Sequence, residues 1–145
     1  MPDVRRVSPK EAKQLMDEGY TYVDVRTPEE FDQRHPRGSI NVPLLVAGPR
    51  GRAPNADFVP LMKRLFPRDA KIVLGCATGV RSRHAAEMLA ADGFLDVADQ
   101  RAGMDGARSP FGQLQEAGWS AAGLPASSGA DEGSLAAVLA RAQGA

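Results

Sequence analysis

The chain is poor in cysteine, histidine and net charge. Its 145 residues include one cysteine and two histidines, and 18 Lys and Arg residues balance 18 Asp and Glu residues. One cysteine excludes an intrachain disulfide and a metal site built from several cysteines. Balanced charge gives no field that would draw the protein to nucleic acid or to an anionic membrane. No apolar run approaches the roughly 20 residues of a membrane span, and the polar N-terminus lacks the h-region of a signal peptide. We therefore expect a cytoplasmic protein that uses no metal or other cofactor.

The apolar segments that are present indicate an α/β fold. Strand-like patterns cover residues 4–7, 21–25, 39–42, 71–75 and 95–98. Helical patterns separate most of them, and the first two helices begin with capping-box signals followed by a proline. This alternation predicts a three-layer sandwich in which helices flank a central, mainly parallel five-stranded sheet.

Composition also suggests how the chain is divided. Residues 1–125 are predicted to form one domain, and residues 126–145 a linker of small residues followed by a short helical tail. A segment rich in Gly, Pro and Arg, residues 47–54, is predicted to be a loop.

The informative feature lies around the only cysteine. Cys76 follows the strand predicted over residues 71–75 and precedes a helix predicted over 82–92. In an open α/β sheet, the loop that leaves the carboxyl end of a central strand is where ligands bind. The helix start turns its unpaired N–H groups and its dipole toward Cys76, and Gly79 allows successive amides to curl around an anion. This setting favours the thiolate, which is the nucleophilic form of cysteine, and the guanidinium of Arg81 can bind an oxyanion.

Two other interpretations of Cys76 compete with that of a nucleophile. A free cysteine is commonly a small buried hydrophobic residue, but the accompanying glycine, arginine and helix start favour a reactive thiol. A cysteine-dependent phosphatase or arsenate reductase places five residues between its cysteine and arginine, whereas four separate Cys76 from Arg81. The shorter loop makes a smaller cradle, which suits one sulfur atom better than a tetrahedral phosphate.

Several segments resemble the rhodanese-like domain family. Residues 76–82, Cys-Ala-Thr-Gly-Val-Arg-Ser, resemble its active-site loop, and residues 24–31 resemble its Asp-x-Arg and Glu-Phe signature. Residues 38–43 resemble its Gly-Ala-Ile-Asn-Ile-Pro segment, and residues 117–125 resemble its closing Trp and Gly-Leu-Pro. These segments follow the family's order over about residues 4–125.

The resemblance implies a thiosulfate sulfurtransferase. Cys76 would attack the outer sulfur of a small anionic donor such as thiosulfate, release sulfite and carry a persulfide, which a thiol or cyanide acceptor would then discharge. The amides of the loop would stabilise the persulfide, and they belong to Ala77, Thr78, Gly79, Val80 and Arg81. Supporting roles fall to Asp24, Arg26 and Ser82. The alternatives are a persulfide carrier that serves a protein acceptor and a non-catalytic rhodanese-like interaction module.

Structural roles are predicted for several residues in or near these motifs. Asp24 and Arg26 stand at the end of a strand, which favours an ion pair that holds neighbouring loops over direct contact with substrate. His35 is predicted to face solvent or to form a hydrogen bond within a loop, and His84 to be exposed on a helix. Residues 105–115 are predicted to be an insertion, and Trp119 to fill part of the core.

Overall fold

The computed structural model describes residues 4–144. Five helices lie in this part of the chain: α1 (Pro9–Asp17), α2 (Pro28–Gln33), α3 (Phe58–Leu65), α4 (Val80–Ala91) and α5 (Leu135–Gly144). Its longer strands are β1 (Arg5–Val7), β2 (Thr21–Asp24), β5 (Leu45–Gly48), β6 (Gly51–Pro54), β7 (Lys71–Gly75), β8 (Asp96–Gln100) and β10 (Leu114–Glu116). The two-residue strands are β3 (His35–Pro36), β4 (Ile40–Asn41), β9 (Ala107–Arg108) and β11 (Ala126–Ser127).

The main sheet confirms the predicted architecture. Five strands pair in the order β1-β8-β7-β2-β4, and every pair is parallel. In the register between β2 and β7, Val23 lies opposite Leu74 and Asp24 opposite Gly75. The chain therefore leaves the central strand β7 at the carboxyl edge of the sheet, next to the end of β2.

The central strand is buried on both faces. Ile72 and Leu74 belong to a core cluster with α3, α4 and α5, while Val73 lies between them on the opposite face with Tyr22 and Trp119. Successive side chains of a strand point to opposite faces, so this alternation divides one apolar run between two cores. Trp119 is fully buried and meets Tyr22 edge to face at a centroid distance of 5.5 Å, as expected for a core residue.

Two of the predicted irregular segments have more structure than expected. The prediction of a loop over residues 47–54 was wrong, since β5 and β6 pair as an antiparallel hairpin. The predicted insertion carries a smaller hairpin of β9 and β10, and Phe111 at its tip is 92% exposed. Both hairpins form because local backbone pairing satisfies N–H and C=O groups of segments that contribute little to the core.

The C-terminal segment packs on the rest of the fold. Strand β11 pairs with β3, and the backbone N–H of Asn41 donates to the carbonyl of Gly133 at 2.7 Å, which covers the β4 edge of the sheet. In the predicted tail helix, Val138 and Ala142 are buried in the same core cluster as Ile72. A domain boundary at residue 125 stays a prediction, but the residues beyond it contact the core directly.

None of the helices in residues 4–144 combines the length and apolar character that crossing a membrane requires.

Candidate active site

Cys76 lies at the carboxyl end of the central strand β7. It is 1% exposed, and α4 begins four residues later at Val80 with Gly79 as its N-cap. The helix therefore starts two residues before the predicted Ser82, and its first turn closes directly over the thiol. Gly75, just before the cysteine, is required by packing, because a Cβ there would overlap the Tyr22 hydroxyl.

The sulfur atom faces hydrogen-bond donors from this first turn. The backbone N–H of Gly79 donates to Sγ at 3.1 Å, and that of Ser82 donates to it at 3.4 Å. The Ser82 hydroxyl oxygen lies 3.5 Å from Sγ, where it can accept the thiol proton. Donors aimed at one atom in a buried site stabilise negative charge on it. The arrangement therefore suits a sulfur that carries charge during the reaction.

The loop holds this shape because glycine occupies two crowded positions. Gly79 has a φ of +91°, and a Cβ there would collide with the carbonyl of Arg101. Gly103 packs behind the loop, where a Cβ would overlap the Ala77 carbonyl. Backbone N–H groups of Met104 and Asp105 donate to the carbonyls of Cys76 and Ala77 at 2.9 and 2.8 Å. The carbonyls are thus engaged from behind, which leaves the amides free to face inward.

Arg81 is engaged by a carboxylate of the protein itself. Its guanidinium donates to both oxygens of Glu30 at 2.8 and 2.9 Å, and Arg52 approaches the same carboxylate at 3.2 Å. Burial on its own would raise the pKa of Glu30, but the hydrogen bonds from Arg81 and Thr27 and the positive charge of Arg81 lower it to about 2. The sequence suggested a guanidinium open to an oxyanion, whereas the structure shows one that ties the start of α4 to α2.

Asp24 and Arg26 form the buried ion pair that the sequence favoured. The Asp24 carboxylate accepts from Arg26 Nη2 at 2.7 Å and from Nε at 3.0 Å, and Arg26 Nη2 also donates to the Arg34 carbonyl at 2.5 Å. Asn41 adds to this network by donating to the carbonyls of Asp24 and Arg26 at 3.0 and 2.9 Å. These contacts hold the loops after β2 and before β4, beside the cysteine loop.

The two histidines lie outside the cysteine loop. His84 is exposed, as expected. His35 is fully buried and stacks on Phe31, so of its two predicted states the hydrogen-bonded one is found and the solvent-facing one is not. Its Nδ1 lies 2.7 Å from the Phe31 carbonyl, and its Nε2 lies 2.6 Å from Asp131 in the C-terminal segment. His35 thus attaches that segment to α2.

A buried carboxylate beside the thiol, Asp99, was not predicted from the sequence. Asp99, at 0% exposure on β8, accepts a short hydrogen bond from the Ser82 hydroxyl. Its other oxygen accepts from Arg6 Nε at 2.6 Å, and Arg6 Nη2 donates to the Gly79 carbonyl at 3.0 Å. No sequence spacing connects residues 6, 82 and 99. The signal available in the sequence was an acidic residue directly after the strand predicted over residues 95–98.

The sequence of this chain is similar to a family model and to several known proteins. The family model of the rhodanese-like domain matches residues 8–109. Thiosulfate sulfurtransferase 16, chloroplastic, of Arabidopsis thaliana is 42% identical over 93 residues, which are 64% of this chain and 78% of that protein. Rhodanese-like domain-containing protein 17 of the same plant is 36% identical over 104 residues, which are 70% of this chain and 67% of that protein. The senescence-associated protein DIN1 of Raphanus sativus is 38% identical over 88 residues, and the match spans about half of it, 48%.

Solved structures show the same fold. The crystal structure of Rv0390 from M. tuberculosis superposes with a TM-score of 0.71 at 25% identity, covering 88% of this chain and 100% of that one. A rhodanese-related protein from Thermoplasma volcanium superposes with a TM-score of 0.60 at 24% identity, covering 85% and 97% of the two chains. The match to the family model, together with a parallel sheet that ends in a cysteine loop, shows that this chain belongs to the rhodanese-like domain family.

Proposed function

We propose that this protein is a thiosulfate-type sulfurtransferase that carries sulfur as a persulfide on Cys76. The observation that supports this most directly is the set of donors around Sγ, the N–H groups of Gly79 and Ser82 at 3.1 and 3.4 Å. A sulfur atom held at a helix start by backbone amides is a stabilised nucleophile. Relatives named as thiosulfate sulfurtransferases support the same reaction.

The reaction has two displacements at sulfur. The Cys76 thiolate attacks the outer sulfur of thiosulfate, the bond between the two donor sulfurs breaks, and sulfite leaves with its electron pair. The terminal sulfur of the persulfide then carries the negative charge, and the amides of residues 77–81 stabilise it. A thiol or cyanide acceptor removes that sulfur and regenerates the thiolate.

The position of Arg81 bears on the choice between sulfur and phosphate. A phosphatase of this type uses its arginine to bind the equatorial oxygens of phosphate, but the fork of Arg81 is occupied by Glu30. The remaining cradle consists of uncharged backbone N–H groups over a buried sulfur. Such a cradle suits a compact, polarisable anion better than a phosphate dianion.

A persulfide carrier that passes its sulfur to a protein acceptor is the second candidate. It shares the chemistry of Cys76 and differs in the acceptor. The exposed side chain of Val80, at the start of α4 next to the cysteine loop, favours it, since a protein acceptor needs an accessible surface beside the site. We keep the cytoplasm as the proposed location and expect action on neither membranes nor nucleic acid.

Incubation with thiosulfate tests the proposal. We expect the intact mass of the protein to increase by one sulfur atom with the release of one sulfite, because Cys76 is the only cysteine. The Cys76→Ser variant should gain nothing. Sulfate serves as the control reagent, since it has the same charge and no outer sulfur to transfer.

The acceptor step is measured by adding cyanide or a small thiol to the sulfur-loaded protein. The added mass should disappear while thiocyanate or a thiol persulfide forms. A wild type that takes up no sulfur and releases no sulfite would show that the proposed function is wrong. Hydrolysis of a phosphate monoester in its place would favour the phosphatase interpretation.

A further inference from the structure

A hydrogen-bonded chain runs from the active sulfur to a charged surface residue through two buried groups. Cys76 Sγ contacts the Ser82 hydroxyl, that hydroxyl contacts Asp99 Oδ1, and Asp99 Oδ2 contacts Arg6 Nε. Cys76, Ser82 and Asp99 are each at most 1% exposed. Arg6 is the member of this hydrogen-bonded chain that reaches solvent, since its side chain is 34% exposed.

The donors and acceptors allow two complete arrangements of protons in this chain. In the first, the thiol donates to Ser82 Oγ and the Ser82 hydroxyl donates to the ionised Asp99. In the second, a protonated Asp99 donates to Ser82 Oγ and the hydroxyl donates to the Cys76 thiolate. A hydroxyl can donate one hydrogen bond and accept two, so both arrangements satisfy every atom. They interconvert without displacement of a heavy atom.

We infer that Asp99 accepts the proton of Cys76 through the hydroxyl of Ser82. Sγ–H breaks as Oγ–H forms, the original Oγ–H breaks as Oδ1–H forms, and the electron pair stays on sulfur. Ser82 touches the reacting atom and acts as a catalytic residue, whereas Asp99 acts through it as a positioning residue. The thiolate gains a third donor in the same step, since the Ser82 hydroxyl then joins the N–H groups of Gly79 and Ser82 around Sγ.

The surroundings of Asp99 permit it to hold a proton. Burial raises the pKa of Asp99, and the hydrogen bonds from Ser82 and Arg6 oppose this without cancelling it. The charged or titratable groups that influence Asp99 and Cys76 from neighbouring elements are Arg6 on β1, Arg83 and Arg81 on α4, and Tyr22 on β2. The three arginines remain charged at all relevant pH values, and burial raises the pKa of Tyr22. Asp99 is therefore the group among them that can change its charge together with the thiol.

This relay rests on the proposed function, for which it supplies the activation step. Thiosulfate would meet a thiolate formed inside the site, and sulfite would leave without taking a proton. The proton stays on Asp99 while the persulfide exists, and it returns to the sulfur when the acceptor step regenerates Cys76. No oxidant or further reactant is needed.

The test compares the pH dependence of Cys76 alkylation in three proteins. Wild type, Asp99→Asn and Ser82→Ala are treated with iodoacetamide, and the mass of the single-cysteine chain is followed from acid to neutral pH. We expect wild type to keep a nearly pH-independent rate on the acid side, because the pair with one shared proton already contains some thiolate. In both variants the alkylation rate at acid pH, the acid limb of the profile, should be at least about tenfold lower than in wild type. This is a modest share of the rate acceleration that a positioned proton-transfer group contributes.

A purely electrostatic role for Asp99 gives the opposite result. Removing a negative charge beside the thiol favours the thiolate, so Asp99→Asn would then react as fast as wild type or faster at acid pH, and either outcome overturns the relay. A wild-type rate that falls steadily with pH in this range overturns it as well. Circular dichroism checks the fold, and Ser82→Ala keeps the ion pair between Arg6 and Asp99 if Asp99→Asn does not fold.

Alkylation needs no sulfur donor, which separates this test from that of the proposed function. Failure of sulfur transfer appears as absence of sulfur uptake by wild type from thiosulfate. Failure of the relay appears as an unchanged acid limb in the two variants. The double variant provides a further check. Because Ser82 and Asp99 belong to one relay, the double change should lower the alkylation rate at acid pH no more than either single change does.

Discussion

Replacement of Glu30 by glutamine probes the contact that ties α2 to the start of α4. The Glu30 carboxylate accepts both hydrogen bonds of the Arg81 fork, and the two side chains are 22% and 16% exposed. Glutamine keeps the size of the side chain and removes its charge. The variant therefore leaves Arg81 with a weaker, neutral partner while the packing of α2 is unchanged.

The pKa of Glu30 sets the size and the pH range of the effect. A decrease from 4.5 to about 2 corresponds to roughly 3 kcal/mol of stability at 1.36 kcal/mol per unit. Partial exposure of Glu30 screens the pair, which reduces the expected loss in Glu30→Gln to about 1–2 kcal/mol. Because the folded-state pKa is the lower one, this stability is fully present above 4.5 and is lost as the pH falls through about 2.

Urea unfolding measures the prediction. At neutral pH, the free energy of unfolding of Glu30→Gln should lie about 1–2 kcal/mol below that of wild type, and the difference should shrink as the pH falls below 4.5. Glu29→Gln is the matched control, because Glu29 is the exposed neighbour on the same helix and its replacement should change stability by less than about 0.5 kcal/mol. A difference between wild type and Glu30→Gln that does not change with pH would show that the charge of Glu30 is not the source of the stabilisation.

Two further predictions use variants matched by position. Gly79→Ala should lower the free energy of unfolding by about 2–3 kcal/mol and abolish sulfur uptake, because alanine disfavours the left-handed φ and its Cβ would collide with the Arg101 carbonyl. Gly112 has a φ of +81° and open surroundings, so Gly112→Ala should cost only about 1 kcal/mol in chemical denaturation. Val138→Ala should cost about 1–2 kcal/mol in thermal unfolding because Val138 is fully buried, whereas Leu139→Ala beside it, 40% exposed, should stay within about 0.5 kcal/mol. Equal effects within either pair would contradict the packing described above.

The elements that follow from local chemistry were predictable from the sequence. The capping boxes at Ser8 and Thr27 are both formed, as are the helices they begin. The apolar run of β7 was predicted as a strand, which the structure buries on both faces, and Cys76 lies at its end as expected. The β5–β6 hairpin was not predictable, since its Gly, Pro and Arg residues are typical of a loop and only backbone pairing gives it structure.

Residue patterns a few positions long therefore predicted the main strands, the helices and the position of the cysteine just before a helix, because each of these depends on local chemistry. The surroundings of that cysteine depend on contacts between distant segments. Arg81 is bound by Glu30, 51 residues away, and Ser82 contacts Asp99, 17 residues away. Such partners meet because parallel strands bring distant segments to one edge of the sheet. The loop from Cys76 to Arg81 could be found from its spacing, whereas its charge partners required the fold.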